Sequence, residues 1–203
     1  MYVPPSMRLD REQAWELIDR HGFAALVDAE LSATHLPLML ERSEGELGTL
    51  YGHFARANPQ WRTLDGNRAL AIFSGPHAYI SPSWYASQPA VPTWNYLAVH
   101  ATGTLELLGT EDTRTLLDRS LAHYEPALLD SLGREHEYLT KMQAGVVGFR
   151  LRIETLTGKA KLGLQRSRAD QEGVEAALAE SRDPQARQLW RHMQKLTKEG
   201  QGT

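Results

Sequence analysis

Between Asn95 and Leu108 the chain alternates for its whole length. Leu97, Val99, Ala101, Leu105 and Leu107 fall on one side of an extended segment, while Tyr96, Ala98, His100, Thr102 and Glu106 fall on the other. A helix would scatter these apolar residues round its circumference, so the pattern predicts a long strand with one dry face. Such a strand needs neighbours for its ladder and a core beneath it. The runs FAALVD from Phe23, THLPLMLE from Thr34, LGTLYGHF from Leu47 and ALAIFS from Ala69 supply them, being short, rich in Leu, Val, Tyr and Phe, and separated by turn residues. VVGFRLRIETL returns to period two, with Phe149, Leu151 and Ile153 in phase. These runs predict an antiparallel sheet. Pro37 inside its run assigns that strand to an edge or a bulge, because proline cannot donate to the ladder.

Helical spacing is confined to the margins of this sheet. Asp10-Arg11-Glu12-Gln13 reads as a capping box for a short helix carrying Ala14, Leu17 and Ile18 and stopped by Gly22. A helix is expected to start near Asn58, another to be capped by Thr110 and run through LLDRSLAHY, and a further helical stretch covers EHEYLTKM. Beyond Gly158 the segment KAKLGLQRSR leads to a helix from about Asp170. A last helix opens at Asp183-Pro184, where aspartate caps and proline takes the first helical position. The predicted organisation is a β-rich α+β domain over 1–157 with peripheral helices, and a helical C-terminal appendage over 158–203 packed on the same domain. The segment GPHAYISPSWYASQPAVPTWNY contains Pro76, Pro82, Pro89 and Pro92 among Trp84, Tyr85, Trp94 and Tyr96. It is expected to be a stiff irregular loop, and long loops of this type are commonly functional.

Composition removes several classes of function. The 203 residues include no cysteine, which excludes disulfides, thiolate catalysis, Cys-ligated zinc and iron–sulfur clusters. The formal net charge of −3 offers no general attraction to polyphosphate. The opening MYVPPSMRLDREQ has no basic segment running into an apolar one, and no later stretch approaches the length of a spanning helix, so a cytoplasmic protein is expected. GxSxG, P-loop, GxGxxG and HExxH motifs are absent, and no catalytic residue is assigned. His35, His53, His77 and His100 lie in or beside predicted strands without metal-ligand spacing, and read as hydrogen-bonded or ligand-facing side chains rather than a metal site. Arg187, Arg191, Lys195 and Lys198 form one basic stripe on the last helix, which reads as a solvated face because no helix-turn-helix pattern accompanies it.

Two constellations point to a ligand. In Gly52-His53-Phe54-Ala55-Arg56-Ala57-Asn58-Pro59 a strand leads into a turn where backbone N–H groups and Arg56 suit a phosphate, with His53 and Asn58 crowding the same turn. The aromatics Trp84, Tyr85, Trp94 and Tyr96 suit either a planar ring system or a homodimer interface.

Several strings, in order, resemble the PaiB-type family of FMN-binding negative transcriptional regulators: MYVP at the start, ATHLPL at 33–38, GHFARANPQW at 52–61, FSGPHAYISPSWY at 73–85 and VPTWNYLAVHATG at 91–103. The resemblance implies an FMN-binding split β-barrel, with antiparallel strands in a Greek-key arrangement, and a homodimer with FMN at its interface. By the same resemblance Arg56 and Asn58, with His53 beside them, match the phosphate turn. Thr34, His35 and Leu36 would edge the ring system, and Tyr79, Ser81, Trp94 and Asn95 would close the site. Lys161 and Leu162 keep the start of a segment that the family usually reads Lys-Leu-Ser-Gln-Asn, and Gly163, Leu164 and Gln165 replace the rest. The family role implies DNA as a partner, which the net charge does little to support. A flavin-dependent oxidoreductase and a haem-binding split barrel are the alternative expectations for this fold.

Overall fold

The computed structural model describes residues 1–128 and 137–199. The chain divides into two compact units: Met1–Asp10, Ser74–Val99 and Thr157–Thr203 form the first, and Arg11–Phe73 and His100–Leu156 form the second. Three long strands, β6 (Arg68–Ile80), β7 (Thr93–Leu107) and β8 (Val146–Lys161), contribute residues to both.

The second unit contains the helix α1 (Arg11–Arg20) and the strands β2 (Phe23–Val27), β3 (Ala33–Pro37), β4 (Met39–Glu41) and β5 (Thr49–Ala55). The sheet order is β3-β2-β6-β7-β8-β5-β4. β2 pairs antiparallel with β3 and with Leu70–Ile72 of β6, and β5 pairs antiparallel with β4 and β8. β3 is an edge strand and Pro37 is its last residue, so the missing N–H interrupts no interior ladder. The core is built on the predicted alternation: Leu105, Phe149 and Leu151 are buried with Ile18, Leu26, Leu50, Phe54 and Phe73, and the rings of Phe54 and Phe149 lie 4.8 Å apart. The short helix α2 spans Trp61–Leu64, starting three residues after the expected Asn58. α3 (Thr110–Tyr124) begins at Thr110, with Gly109 rather than Thr110 in the capping position. α4 covers Glu137–Ala144, and the first two residues of EHEYLTKM lie outside the described residues.

The first unit joins β1 (Arg8–Leu9), the ends of the three long strands, and the helices α5 (Arg168–Ala179) and α6 (Pro184–Glu199). β1 pairs antiparallel with β8 through Leu9 and Gly158. Ile80, Leu97, Val99 and Leu162 are buried with Val174 and Leu178 of α5 and Leu189 and Met193 of α6. Ser167 caps α5 by accepting from the Asp170 amide, two residues ahead of the start expected near Asp170. Asp183 accepts from the Gln185 amide, and Pro184 takes the first position of α6.

The segment from Gly75 to Ile80, expected to be irregular, belongs to β6. Its burial explains how a strand passes Pro76: Ala69, Ala71 and Phe73 are buried before it, Ala78 and Ile80 after it, and both Gly75 and Pro76 are buried between. The alternation has shifted by one residue, as at a β-bulge, one of the few interior positions that accept proline. β8 likewise continues through Gly158 to Lys161. Gly163 then takes a positive φ of 75°, a conformation favouring glycine over serine, so its replacement of the usual serine suits the turn that leaves the strand.

Candidate functional site

In the second unit, the residues expected at the phosphate turn form a hydrogen-bonded clamp. Asn58 Nδ2 donates to Thr34 Oγ1 at 2.8 Å, and Thr34 Oγ1 donates to Gln60 Oε1 at 2.6 Å. Gln60 Nε2 donates to Asp28 Oδ2 and to the Ser32 carbonyl, while its backbone N–H donates to Asn58 Oδ1. Thr34 and Asn58 thus tie the β2–β3 hairpin to the turn after β5, and Gln60, only 7% exposed, is the hub. Gln60 lies inside a quoted motif, yet nothing in its spacing signals that role. Leu36 is buried in the core. His35 is exposed beside Phe23, with ring centroids 6.0 Å apart.

Arg56 is held by the chain on the other side. Its backbone N–H donates to Gly145 O, its Nε to Ala144 O at 2.7 Å, and its Nη2 to Val146 O at 2.7 Å. The guanidinium therefore caps the C-terminus of α4 from almost ninety residues away. Arg56→Ala is expected to lower stability by about 1–2 kcal/mol, the scale of charge-assisted bonds to a helix end. A urea midpoint equal to the parent's would show that those bonds contribute nothing.

His53 is half-buried on β5, and burial holds its imidazole below the ordinary value of 6.5; burial lowers His21 and His100 in the same unit. Above about pH 6.5 these histidines are neutral in both folded and unfolded chains. Below it the unfolded chain binds more protons, so stability falls with falling pH. The thermal midpoint is expected to drop between pH 7.5 and 5.5, less steeply in His53→Gln. An equal slope in the variant would exclude His53 as a contributor.

The first unit gathers a different set. Trp94 at the start of β7 is 53% exposed and Tyr79 on β6 is 47% exposed. Their rings meet edge-on at 6.0 Å, and His77 lies 6.2 Å from Trp94. Lys161 Nζ donates to Thr93 Oγ1 at 2.6 Å, and Lys159 stands over the rings of Tyr2 and Tyr96. Ser81 Oγ accepts from the Ser83 amide in the turn after β6. Asn95 is separated from this group: one residue on from Trp94, it falls on the opposite face of β7, is 3% exposed, and borders Gly163 and Arg166. His77, one of the four histidines read as hydrogen-bonded or ligand-facing, is exposed on β6, while Lys159 has no signal in the sequence because it joins a strand only through the extension of β8 past Gly158. Among the described residues no group of three His, Asp or Glu side chains is placed to hold a metal. No helix of the described residues is long and apolar enough to cross a membrane.

Residues 1–155 match the family described as "Putative FMN-binding domain". The chain belongs to this family. It is 36% identical over 199 residues to the Protease synthase and sporulation protein PAI 2 of Bacillus subtilis, covering 93% of this chain and 94% of that one. It is 29% identical over 194 residues to an uncharacterised protein of Aspergillus fumigatus, covering 71% and 74%. Among solved structures, the flavocytochrome Anf3 of Azotobacter vinelandii superposes with a TM-score of 0.63 at 17% identity, covering 83% of this chain and 77% of that one. The FAD and heme binding protein of Mycobacterium smegmatis gives 0.59 at 19% identity, covering 83% and 78%. These likenesses establish the fold as the flavin-type split barrel, in agreement with the strand pattern of this FMN-binding family member.

Proposed function

We propose that the chain is a homodimeric FMN-binding protein of the PaiB type, acting as a negative transcriptional regulator, with the flavin ring seated on the strand face of Tyr79 and Trp94. The observation that carries this reading is the pair of half-exposed aromatic rings on neighbouring strands of the first unit, in a chain that belongs to an FMN-binding family. Exposed aromatic faces stack on planar rings at small entropic cost. The donor set matches the rest of such a ligand. Lys161 supplies positive charge for the phosphate, while His77 and Ser81 supply further hydrogen-bonding groups. Thr34, His35, His53 and Asn58 belong to the second unit, where the bonds of Thr34 and Asn58 position β3. When bound, FMN supplies redox chemistry that no side chain has.

The regulatory part of the reading is supported by identity, across nearly the whole chain, to a protein named for protease synthesis and sporulation. Arg187 and Arg191 are exposed on α6, opposite buried Ala186, Leu189 and Met193, where they are available to an acidic partner. The test is an FMN titration followed by tryptophan quenching, then anaerobic addition of NADPH. Saturable quenching without bleaching of the flavin is expected. Rapid bleaching would instead assign an oxidoreductase, and a Soret band in the purified protein a haem carrier.

A further inference from the structure

The second unit holds a cavity of about 630 Å³ that the flavin reading does not use. That volume lies within the roughly 300–1,000 Å³ of small-molecule sites, and its walls have their usual character, mostly apolar with a few fixed polar groups. Leu107, Leu108, Val146, Val147 and the ring of Trp61 form the apolar part. Arg56 is the charged residue on its lining, and no carboxylate lies among the described residues there.

The guanidinium is already oriented for a ligand. Its Nε and one Nη2 hydrogen, which together make the lateral edge, are committed to the carbonyls of Ala144 and Val146. The end edge, made by Nη1 and the second Nη2 hydrogen, has no partner among the described residues. Such an edge presents two parallel N–H groups with the spacing of a carboxylate's oxygens. Because the two carbonyls hold the side chain in place, little rotamer entropy remains to be lost on binding. Gln143 is fixed in the same way, its Nε2 donating to the Thr110 carbonyl at 2.8 Å, which leaves its Oε1 as an acceptor at the cavity wall.

We propose that this cavity is a second ligand site, taking a small carboxylic acid with an apolar body whose carboxylate sits on the end edge of Arg56. A single cation against apolar walls matches a single negative charge. A phosphate dianion would leave half its charge uncompensated by any residue of the lining. The site is therefore distinct from the one proposed for FMN, and it offers a regulator of this type a place for a chemical signal.

Gly109 makes the test clean. It lines the cavity, its φ is an ordinary −65°, and a Cβ built on it would meet no atom within 4 Å. Gly109→Leu should therefore fill the space without straining the backbone. Titration calorimetry on the full chain, with and without saturating FMN, would use 1-naphthaleneacetate as probe and its neutral amide as control. The expected result is one acid per chain, indifferent to FMN, with binding at least tenfold weaker for the amide and for Gly109→Leu, whose thermal midpoint should fall no further than that of Gly109→Ala, the loss expected when glycine leaves a helix N-cap. Absence of binding at millimolar acid, equal binding of the amide, unchanged affinity in Gly109→Leu, or displacement by FMN would each overturn the proposal. A chain that takes the acid but not FMN would count against the flavin reading alone.

Discussion

Gly103→Ala is expected to prevent the second unit from folding. Gly103 sits on the buried face of β7, where a Cβ would overlap the carbonyl oxygen of Arg152 on β8 and stand 2.8 Å from its carbonyl carbon. Both obstacles are backbone atoms of a neighbouring strand, which cannot rotate away as the end of a side chain can. Relief requires prising apart β7 and β8, next to the Thr104–Glu154 bond and the contact of the Thr102 and Thr155 hydroxyls. A loss on the order of 4 kcal/mol or more is expected, at the extreme of single-substitution effects and enough to unfold a domain of ordinary stability. Gly109→Ala is the matched control, because nothing lies within 4 Å of the added methyl; its cost should stay near 1 kcal/mol, the difference between glycine and alanine at a helix N-cap. Urea denaturation of the two variants side by side measures both. A Gly103→Ala protein with the midpoint of the control would mean that the strands do not approach as closely as described.

Trp94→Ala should weaken FMN binding by about 10- to 100-fold while leaving the fold intact, since each factor of ten corresponds to about 1.4 kcal/mol and aromatic stacking supplies energy on that scale. More than half of the Trp94 surface is open, so little core packing is lost with it. Tyr79→Ala should act in the same direction and less strongly, because the tyrosine meets the tryptophan edge-on and offers the smaller ring. Equilibrium titration with FMN, with the urea midpoint of each variant measured alongside, separates loss of contact from loss of structure. An unchanged dissociation constant in Trp94→Ala would remove the flavin ring from this face.

The parts of this fold that were legible in the sequence are those governed by local rules. The alternation from Leu97 to Leu105 appears in β7 as read, Pro37 lies at the end of an edge strand, and Asp183-Pro184 opens a helix. What escaped depends on contacts distant along the chain. Pro76 reads as a strand breaker until the one-residue phase shift around Gly75 and Pro76 shows a bulge absorbing it. The carbonyl partners of exposed Arg56 have no local signal, because Ala144 and Val146 lie almost ninety residues further along the chain. The fate of Asn95 was implicit in the same alternation that predicted β7: an asparagine two residues before Leu97 must share its buried face. Gln60 had no local signal, since its partners Asp28, Ser32 and Thr34 come together only when the β2–β3 hairpin closes over the turn. The family motifs carry the flavin expectation, and the exposed Tyr79–Trp94 pair is where we propose to seat the ring.

Whether the protein carries FMN as a dimer is read from flavin absorbance and light-scattering mass measured together across one size-exclusion peak after incubation with FMN. A yellow peak with the mass of two chains and one flavin per chain is expected. A colourless peak at any mass would contradict it.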